Sequence, residues 1–184
     1  MTHDNARIPF APVLRKDRAV EDEAWIRAML QGAATGVLAS AQQDQPYLTT
    51  NLFVFDPSQN VIYLHSGRKG RTFQAVQANP QVCFSVSQMG RLLPGESAAS
   101  MSVEYASVVV FGRASILDEP AEAARALQML VDKYFSHLQP GRDYRTPSPE
   151  ELDTVAVYRI DIQQWSGKRK QVGPDFPGAF EYQR

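Results

Sequence analysis

The sequence has little of the chemistry that builds disulfides, metal sites or strongly charged surfaces. It contains one cysteine, Cys83, so an intrachain disulfide and a cysteine-rich zinc site are both excluded. The three histidines, His3, His65 and His137, are scattered and make a poor metal set, so we expect no metal site. The formal net charge of −1 provides no field that would hold nucleic acid or an anionic membrane.

Long hydrophobic runs are also missing. No segment approaches the roughly 18 apolar residues that cross a bilayer, and the polar N-terminus lacks the order of a secretory signal. Together with the single cysteine, this leads us to expect a cytoplasmic protein that binds neither membrane nor nucleic acid. The composition, 43% hydrophobic and 21% charged, is ordinary for a globular protein.

The length of 184 residues suits one domain, 1–184, with an N-terminal arm at 1–16 and a C-terminal tail at 173–184. Apolar residues at helical spacing predict three helices, at 21–31, 71–78 and 121–135. Alternating apolar residues between turn signals predict six strands, at 36–41, 46–55, 61–66, 81–87, 101–116 and 155–164. Residues 88–100 read as a loop. Because short turns join most strands, the pattern favours an antiparallel barrel with peripheral helices over a parallel sheet, which needs helical crossovers.

One segment has the pattern of a phosphate site. A strand ends at His65 and Ser66, a glycine-bracketed basic loop follows at 67–70, and a helix then begins. Cations and hydroxyls surround the start of that helix: Ser66, Arg68, Lys69, Arg71 and Thr72. Glycines let backbone N–H groups approach a ligand, and a helix N-terminus attracts anions. A solvated basic turn explains the bare pattern equally well, and the spacing is not that of a Walker loop.

A resemblance to a known superfamily gives this segment a context. Tyr63-x-His65-Ser66, Gly70-Arg71 and the following 79–84 stretch, Asn-Pro-x-Val-Cys-Phe, resemble the FMN-binding split-barrel proteins that include pyridoxamine 5′-phosphate oxidase. Within that superfamily the nitroimidazole-reductase branch is the most similar. The Gln-Pro-Tyr element at 45–47, the long strand at 104–114 and the closing strand with its Ser-Gly-Lys corner at 160–168 agree in order. The likeness extends over residues 15–170.

The resemblance implies a mainly β fold, a six-stranded antiparallel Greek-key split β-barrel with peripheral helices, that forms a homodimer with FMN at the subunit interface. The family's phosphate-binding basic pair corresponds to Arg71 and Thr72. Because threonine replaces the usual lysine there, Arg68 or Lys69 is expected to supply the missing cation. The further cofactor-binding residues that the resemblance implies are Thr49, Thr50, Asn51, Leu52, His65, Ser66, Ser107 and Lys168.

Individual side chains carry different expectations. His65 is the candidate catalytic residue, since an imidazole beside a flavin or substrate titrates near neutrality. Ser107 corresponds to a glutamine of the oxidase relatives that contacts flavin, and its shorter side chain makes direct contact doubtful. Lys168 is either a flavin or partner contact or part of a solvated charged end. Cys83, between two apolar strand residues, is expected to be a core residue.

The function predicted first is an FMN-dependent oxidoreductase that reduces small aromatic or nitro compounds with transiently bound NAD(P)H. No Gly-x-Gly-x-x-Gly fingerprint is present to hold a nicotinamide cofactor permanently. A pyridoxamine 5′-phosphate oxidase-type enzyme is a second possibility, but it needs a second phosphate site, for which the tail supplies few cations beyond Arg184. A non-catalytic flavin or haem binder on the same fold is the third, with His65 as an axial ligand.

Overall fold

The computed structural model describes residues 15–183, so most of the predicted N-terminal arm lies outside the described residues. A single 3-10 turn, Lys16–Arg18, precedes the first strand. The strands are β1 (Ala19–Val20), β2 (Gly36–Gln42), β3 (Gln45–Asn51), β4 (Phe53–Asp56), β5 (Val61–Gly67), β6 (Gln81–Leu93), β7 (Ser102–Ile116) and β8 (Val155–Lys170). The helices are α1 (Glu23–Gly32), α2 (Arg71–Ala78), α3 (Pro120–Tyr134) and α4 (Pro149–Thr154).

All eight strands form one antiparallel sheet in the order β3-β2-β6-β7-β8-β5-β4, with β1 paired to β8. The predicted mainly β fold is therefore confirmed, while the predicted count of six strands is wrong. One difference is the two-residue β1, which is too short to show a strand period in the sequence. The other is the segment predicted as a single strand at 46–55, which is interrupted at Leu52.

The two strands at the edges of the sheet, β3 and β4, are consecutive in the chain and are separated only by Leu52. On one side of this residue, β3 pairs with β2; on the other side, β4 pairs with β5. The same stretch of chain thus runs along both edges and brings the curved sheet back on itself as a barrel. Beyond the β4–β5 ladder the two edges separate, which makes the barrel split rather than continuous.

The core fills the barrel and one flank. Alternate residues of the central strands, such as Leu38, Phe84 and Val110, are 0–1% exposed and form the main cluster with Ile26 and Leu30 of α1. A second cluster lies on the outside of β5 and β8, where helix α3 covers it. The helix α2 packs against β2 and β7. No helix described between residues 15 and 183 covers the outer face of β2, β3, β6 and β7.

Two strands are longer than predicted. The β6 strand continues through 88–93, which the sequence predicted as loop, because it pairs with the start of β7 across a bulge between Met89 and Leu92. Arg91 fixes this extension by binding the Glu104 carboxylate at 2.9 Å and by donating to backbone carbonyls of the C-terminal tail. The β8 strand continues to Lys170 through pairing with β7, and the predicted irregularity at Gly112 is confirmed as a register shift.

The tail beyond β8 lies against the barrel. Glu104 accepts a hydrogen bond from the backbone N–H of Val172 at 2.8 Å, and Phe180 forms an isolated bridge with Leu92. The predicted tail at 173–184 therefore has fixed contacts with β6 and β7 over the part that is described. None of the described helices is both long and apolar enough to cross a membrane.

Candidate functional site

The split between β3 and β5 is the centre of the candidate site. The β4–β5 ladder ends where Phe53 pairs with Leu64. Continuing its register by one and two residues would place Leu52 opposite His65 and Asn51 opposite Ser66, but the chain turns away there to pair with β2. The split therefore opens at Leu52 and His65 and widens toward the end of β5.

Backbone groups line both sides of this opening. The β3 strand pairs only with β2, and the last three residues of β5 pair only with β8, within residues 15–183. Each strand consequently turns toward the split an edge of backbone groups that have no strand partner. Such groups are strong donors and acceptors that need partners when they are covered, so the split can bind a flat molecule with polar edges.

Helix α2 begins at the wide end of the split and points a positive N-terminus toward it. Its N-cap is Gly70, no side chain caps the helix, and no acidic residue lies in its first turn. The N–H groups of the first turn therefore lack both helical acceptors and a capping side chain. The helix dipole and these free donors together favour an anion at this point.

Arg71, the first residue of α2, extends across the split to β3. Its guanidinium carbon lies 5.8 Å from the centre of the Tyr47 ring, within the range of a cation–π contact. Arg71 is exposed and forms no ion pair with any carboxylate between residues 15 and 183. The contact thus holds an unneutralised guanidinium at the helix N-terminus, close to strand β3.

The other predicted phosphate ligands are placed differently. Arg68 directs its side chain to the backbone carbonyl of Val155 at 3.2 Å and lines a cleft beside α2. Thr72 is 5% exposed and is part of the buried face of α2. Lys69 is exposed in the turn that a hydrogen bond from Gly70 N–H to the Gly67 carbonyl closes at 3.3 Å. Of the three predicted cations, only Arg71 has a contact with β3.

The residues of β3 alternate between two surfaces. Tyr47, Thr49 and Asn51 are half-buried, and Asn51 donates from its side-chain amide to the Thr49 carbonyl at 2.9 Å. Thr50 and Leu52 are exposed on the opposite surface, Leu52 to 44%. The predicted group 49–52 therefore splits into two pairs, one on the surface shared with Tyr47 and one on the outside of the barrel.

His65 and Ser66 also point to opposite surfaces. The Ser66 hydroxyl lies 2.8 Å from the Tyr158 hydroxyl, which is buried inside the barrel. His65 lies on the outer surface, opposite Val157 of β8. Although His65 is exposed, surrounding protein desolvates the ring enough to lower its pKa below the usual 6.5. The lowered pKa favours the neutral imidazole, which can accept or donate a hydrogen bond.

Ser107 and Lys168 are paired with each other across β7 and β8, with Ser87 of β6 on the far side of Ser107. Both lie on the outer surface, since their neighbours Val108 and Gly167 are buried. Two strands, β2 and β6, lie between Ser107 on β7 and strand β3, so about 14 Å of sheet separates Ser107 from β3 at about 4.8 Å for each step. A single chain does not bring this pair together with Arg71.

Sequence reasoning missed two polar residues, Tyr47, which contacts Arg71, and Ser40, its strand partner. Tyr47 was noted only as part of a Gln-Pro-Tyr element, and nothing in the sequence indicates that Arg71 reaches it. Ser40 pairs with Tyr47 across β2 and β3, is 5% exposed, and its hydroxyl has no hydrogen-bond partner among residues 15–183. Cys83, expected in the core, is half-buried, and burial raises the pKa of its thiol.

Comparisons with known proteins match the fold and most of the chain. The profile of a family described as pyridoxamine 5′-phosphate oxidase matches residues 22–169. No curated protein sequence matches the chain. Among solved structures, a protein described as a 5-nitroimidazole antibiotic resistance protein from Bacteroides thetaiotaomicron is 22% identical with a TM-score of 0.68, covering 82% of this chain and 86% of its own.

Two further structures are similar over comparable lengths. The flavocytochrome Anf3 from Azotobacter vinelandii is 22% identical with a TM-score of 0.72, covering 90% of this chain and 81% of its own. The FAD and heme binding protein from Mycobacterium smegmatis is 18% identical with a TM-score of 0.74, covering 86% and 76%. At these identities the likeness shows a shared fold.

Proposed function

Because the chain belongs to the pyridoxamine 5′-phosphate oxidase family, we propose that it binds a flavin in the split between β3 and β5, specifically FMN, and acts as an oxidoreductase. The observation that carries this proposal is the position of Arg71. Within residues 15–183, it places a guanidinium that has no carboxylate partner at a helix N-terminus that no side chain caps, beside two strand edges that lack a strand partner. The flavin-binding and haem-binding names of the structural neighbours support a flavin on this fold.

From the wide end of the split to the narrow end, the polar groups suit first the phosphate of FMN and then its ring system. The phosphate would be bound by Arg71 and the first-turn N–H groups of α2, as charge-assisted hydrogen bonds. The ring system would lie toward Thr49, Asn51 and Leu52, where free backbone groups of β3 can meet its polar edge. His65 would lie at the narrow end. Bound flavin supplies electron or hydride transfer, and the chain supplies placement and a neutral imidazole.

A homodimer would complete this site. No helix in the described part of the chain covers the outer face of β2, β3, β6 and β7, and Leu48 and Leu52 on it are 64% and 44% exposed. Burying such a face against a second copy is favourable at roughly 25 cal/mol per Å² of apolar surface. Ser107 lies on this face, and its partner Lys168 lies next to it on the outer surface of β8. Both are remote from the split of their own chain, so in a dimer they would contact the flavin of the other subunit.

The electron donor in this proposal is NAD(P)H, which would bind transiently, and the acceptor is a small aromatic or nitro compound. Oxidation of pyridoxamine 5′-phosphate would need a second phosphate site. Among residues 15–183, Arg71 is the one predicted cation that contacts β3, and Arg184 lies outside the described residues. A haem-binding role is a second candidate because one structural neighbour is described as an FAD and heme binding protein and the imidazole of His65 is exposed.

An absorbance spectrum of the purified protein, before and after addition of FMN, tests the proposal directly. Flavin bands are expected, with up to one flavin per subunit. The protein should then oxidise NADH or NADPH when an acceptor is added. A Soret band without flavin bands would favour the haem role. Colourless protein that does not bind added FMN would refute flavin binding. Light scattering with size-exclusion chromatography tests the dimer independently.

A further inference from the structure

We propose that Tyr47 positions Arg71 and thereby sets the preference of this protein for a phosphorylated flavin over riboflavin. The inference rests on the proposed flavin site and extends it from cofactor class to selectivity. Tyr47 itself would not contact the phosphate. Its ring would act as the surface on which the guanidinium rests, so that the charge is already in place when the phosphate arrives.

The first support is the way Arg71 is held. Its guanidinium carbon lies 5.8 Å from the Tyr47 ring centre, and no carboxylate between residues 15 and 183 neutralises it. An exposed arginine ordinarily loses rotamer freedom when it binds a ligand, and ordering it in advance removes part of that cost. A ring contact orders the side chain without competing for the N–H donors that a phosphate needs.

The second support is the placement of the Tyr47 ring itself. Tyr47 lies on the half-buried surface of β3 and is paired with Ser40, a buried residue of β2. The β2 strand also contacts α2, so the strand that carries Tyr47 and the helix that carries Arg71 are both attached to β2. Neither β3 nor α2 could shift without changing the Arg71–Tyr47 separation.

The third support is the alignment of Tyr47 with the residues proposed for the ring system. Tyr47, Thr49 and Asn51 lie on one surface of β3, with successive members about 6.8 Å apart along the strand. A phosphate held near Tyr47 therefore directs the rest of an extended ligand along Thr49 toward Asn51. Selectivity for the phosphate at one end would also fix the direction in which the flavin lies.

The test is the ratio of the riboflavin and FMN dissociation constants, measured by fluorescence titration of the flavin-free dimer. Tyr47→Leu is expected to lower this ratio by about 3- to 10-fold, from the loss of the cation–π contact and of the ordered arginine. Tyr47→Phe keeps the ring and should leave the ratio unchanged. Tyr105→Leu is the matched control, since Arg18 stacks on Tyr105 at 6.0 Å on strand β7.

A double-mutant cycle separates positioning from strand packing. If Tyr47 acts through Arg71, Tyr47→Leu should not lower the ratio further in an Arg71→Ala background. An unchanged ratio in Tyr47→Leu, or an equal loss of affinity for both flavins, would overturn the inference while leaving flavin binding intact. Failure of the wild-type protein to bind either flavin would remove both proposals together. Tyr47→Ile, with a strand-favouring residue, repeats the measurement if the leucine variant does not fold.

Discussion

Replacing Lys133 tests the electrostatics of the α3 attachment to the barrel. The Lys133 ammonium donates to the carbonyls of Ala33 at 2.8 Å and Phe53 at 3.0 Å, and it lies 4.0 Å from the centre of the Phe53 ring. No ion pair with a carboxylate supports it among residues 15–183. Burial therefore lowers the pKa of Lys133 from 10.5 to about 8. We expect Lys133→Met to change how the free energy of unfolding depends on pH.

The direction follows from proton uptake on unfolding. Between pH 8 and 10.5 the folded protein has lost the Lys133 proton while the unfolded chain still holds it, so the free energy of unfolding rises with pH. At 1.36 kcal/mol for each pKa unit, the ceiling is about 3 kcal/mol, and the rise between pH 8 and 9.5 is about 1.5 kcal/mol. Methionine does not titrate, so this rise should disappear in the variant.

Urea unfolding followed by circular dichroism at pH 8.0, 8.5, 9.0 and 9.5 measures the effect. The difference between wild type and Lys133→Met cancels the titration of other groups, including the tyrosines whose pKa values burial raises. Lys16→Met, at an exposed position, is the matched control and should show the wild-type pH dependence. If the variant and the wild type gain stability equally over this range, to within about 0.5 kcal/mol, the reasoning from burial is refuted.

Further substitutions test the site, the barrel, the tail and the dimer. Arg71→Ala should weaken FMN binding by roughly 10- to 100-fold and riboflavin binding far less, measured by titration, because a charged hydrogen bond is lost. Gly112→Ala should lower the urea midpoint, since a Cβ there would lie 2.5 Å from a backbone carbonyl oxygen of β8, whereas Gly173→Ala, with nothing within 4 Å, should not. Glu104→Gln should speed amide hydrogen exchange in the C-terminal tail. The hydrogen bond from Arg91 lowers the pKa of Glu104 to about 2. In the wild type, protection of the tail amides should therefore persist above pH 4.5 and fall as the pH drops toward 2. Leu48→Lys should shift the sedimentation profile from dimer to monomer, and an unchanged dimer would argue against the bare sheet face as the interface.

The fold could be predicted from the sequence where local signals and tertiary pairing agree. The turn at 56–60 and the alternation of the neighbouring strands located the β4–β5 hairpin, and Gly112 indicated the bulge in β7. Residues 88–93 were wrongly predicted as loop, because Gly90 and the polar residues around it give no strand period. Their extended form depends on pairing with β7 and on the Arg91–Glu104 ion pair, which join residues distant in sequence.

The site was predictable only in part for the same reason. The helix start at Arg71 and the strand end at His65 follow from local residue patterns, and the superfamily prediction from them is confirmed by the family match. The direction of the Arg68 side chain toward β8, and the contact of Arg71 with Tyr47, depend on how segments about 20 or more residues apart meet in space. Their roles as ligands remain predictions until flavin binding is measured.

The single-residue link at Leu52 has a consequence for how the barrel closes during folding. Closing a sheet usually requires a loop long enough to travel between its edges, and the entropy lost grows with that length. Here the two edges are consecutive in the chain, so closure needs only one peptide unit to change direction. That unit also sets the register of both edges, because moving it by one position would turn Phe53 and Phe55 out of the core. The opening proposed as the flavin site is therefore held at a fixed place by the same residue that completes the barrel.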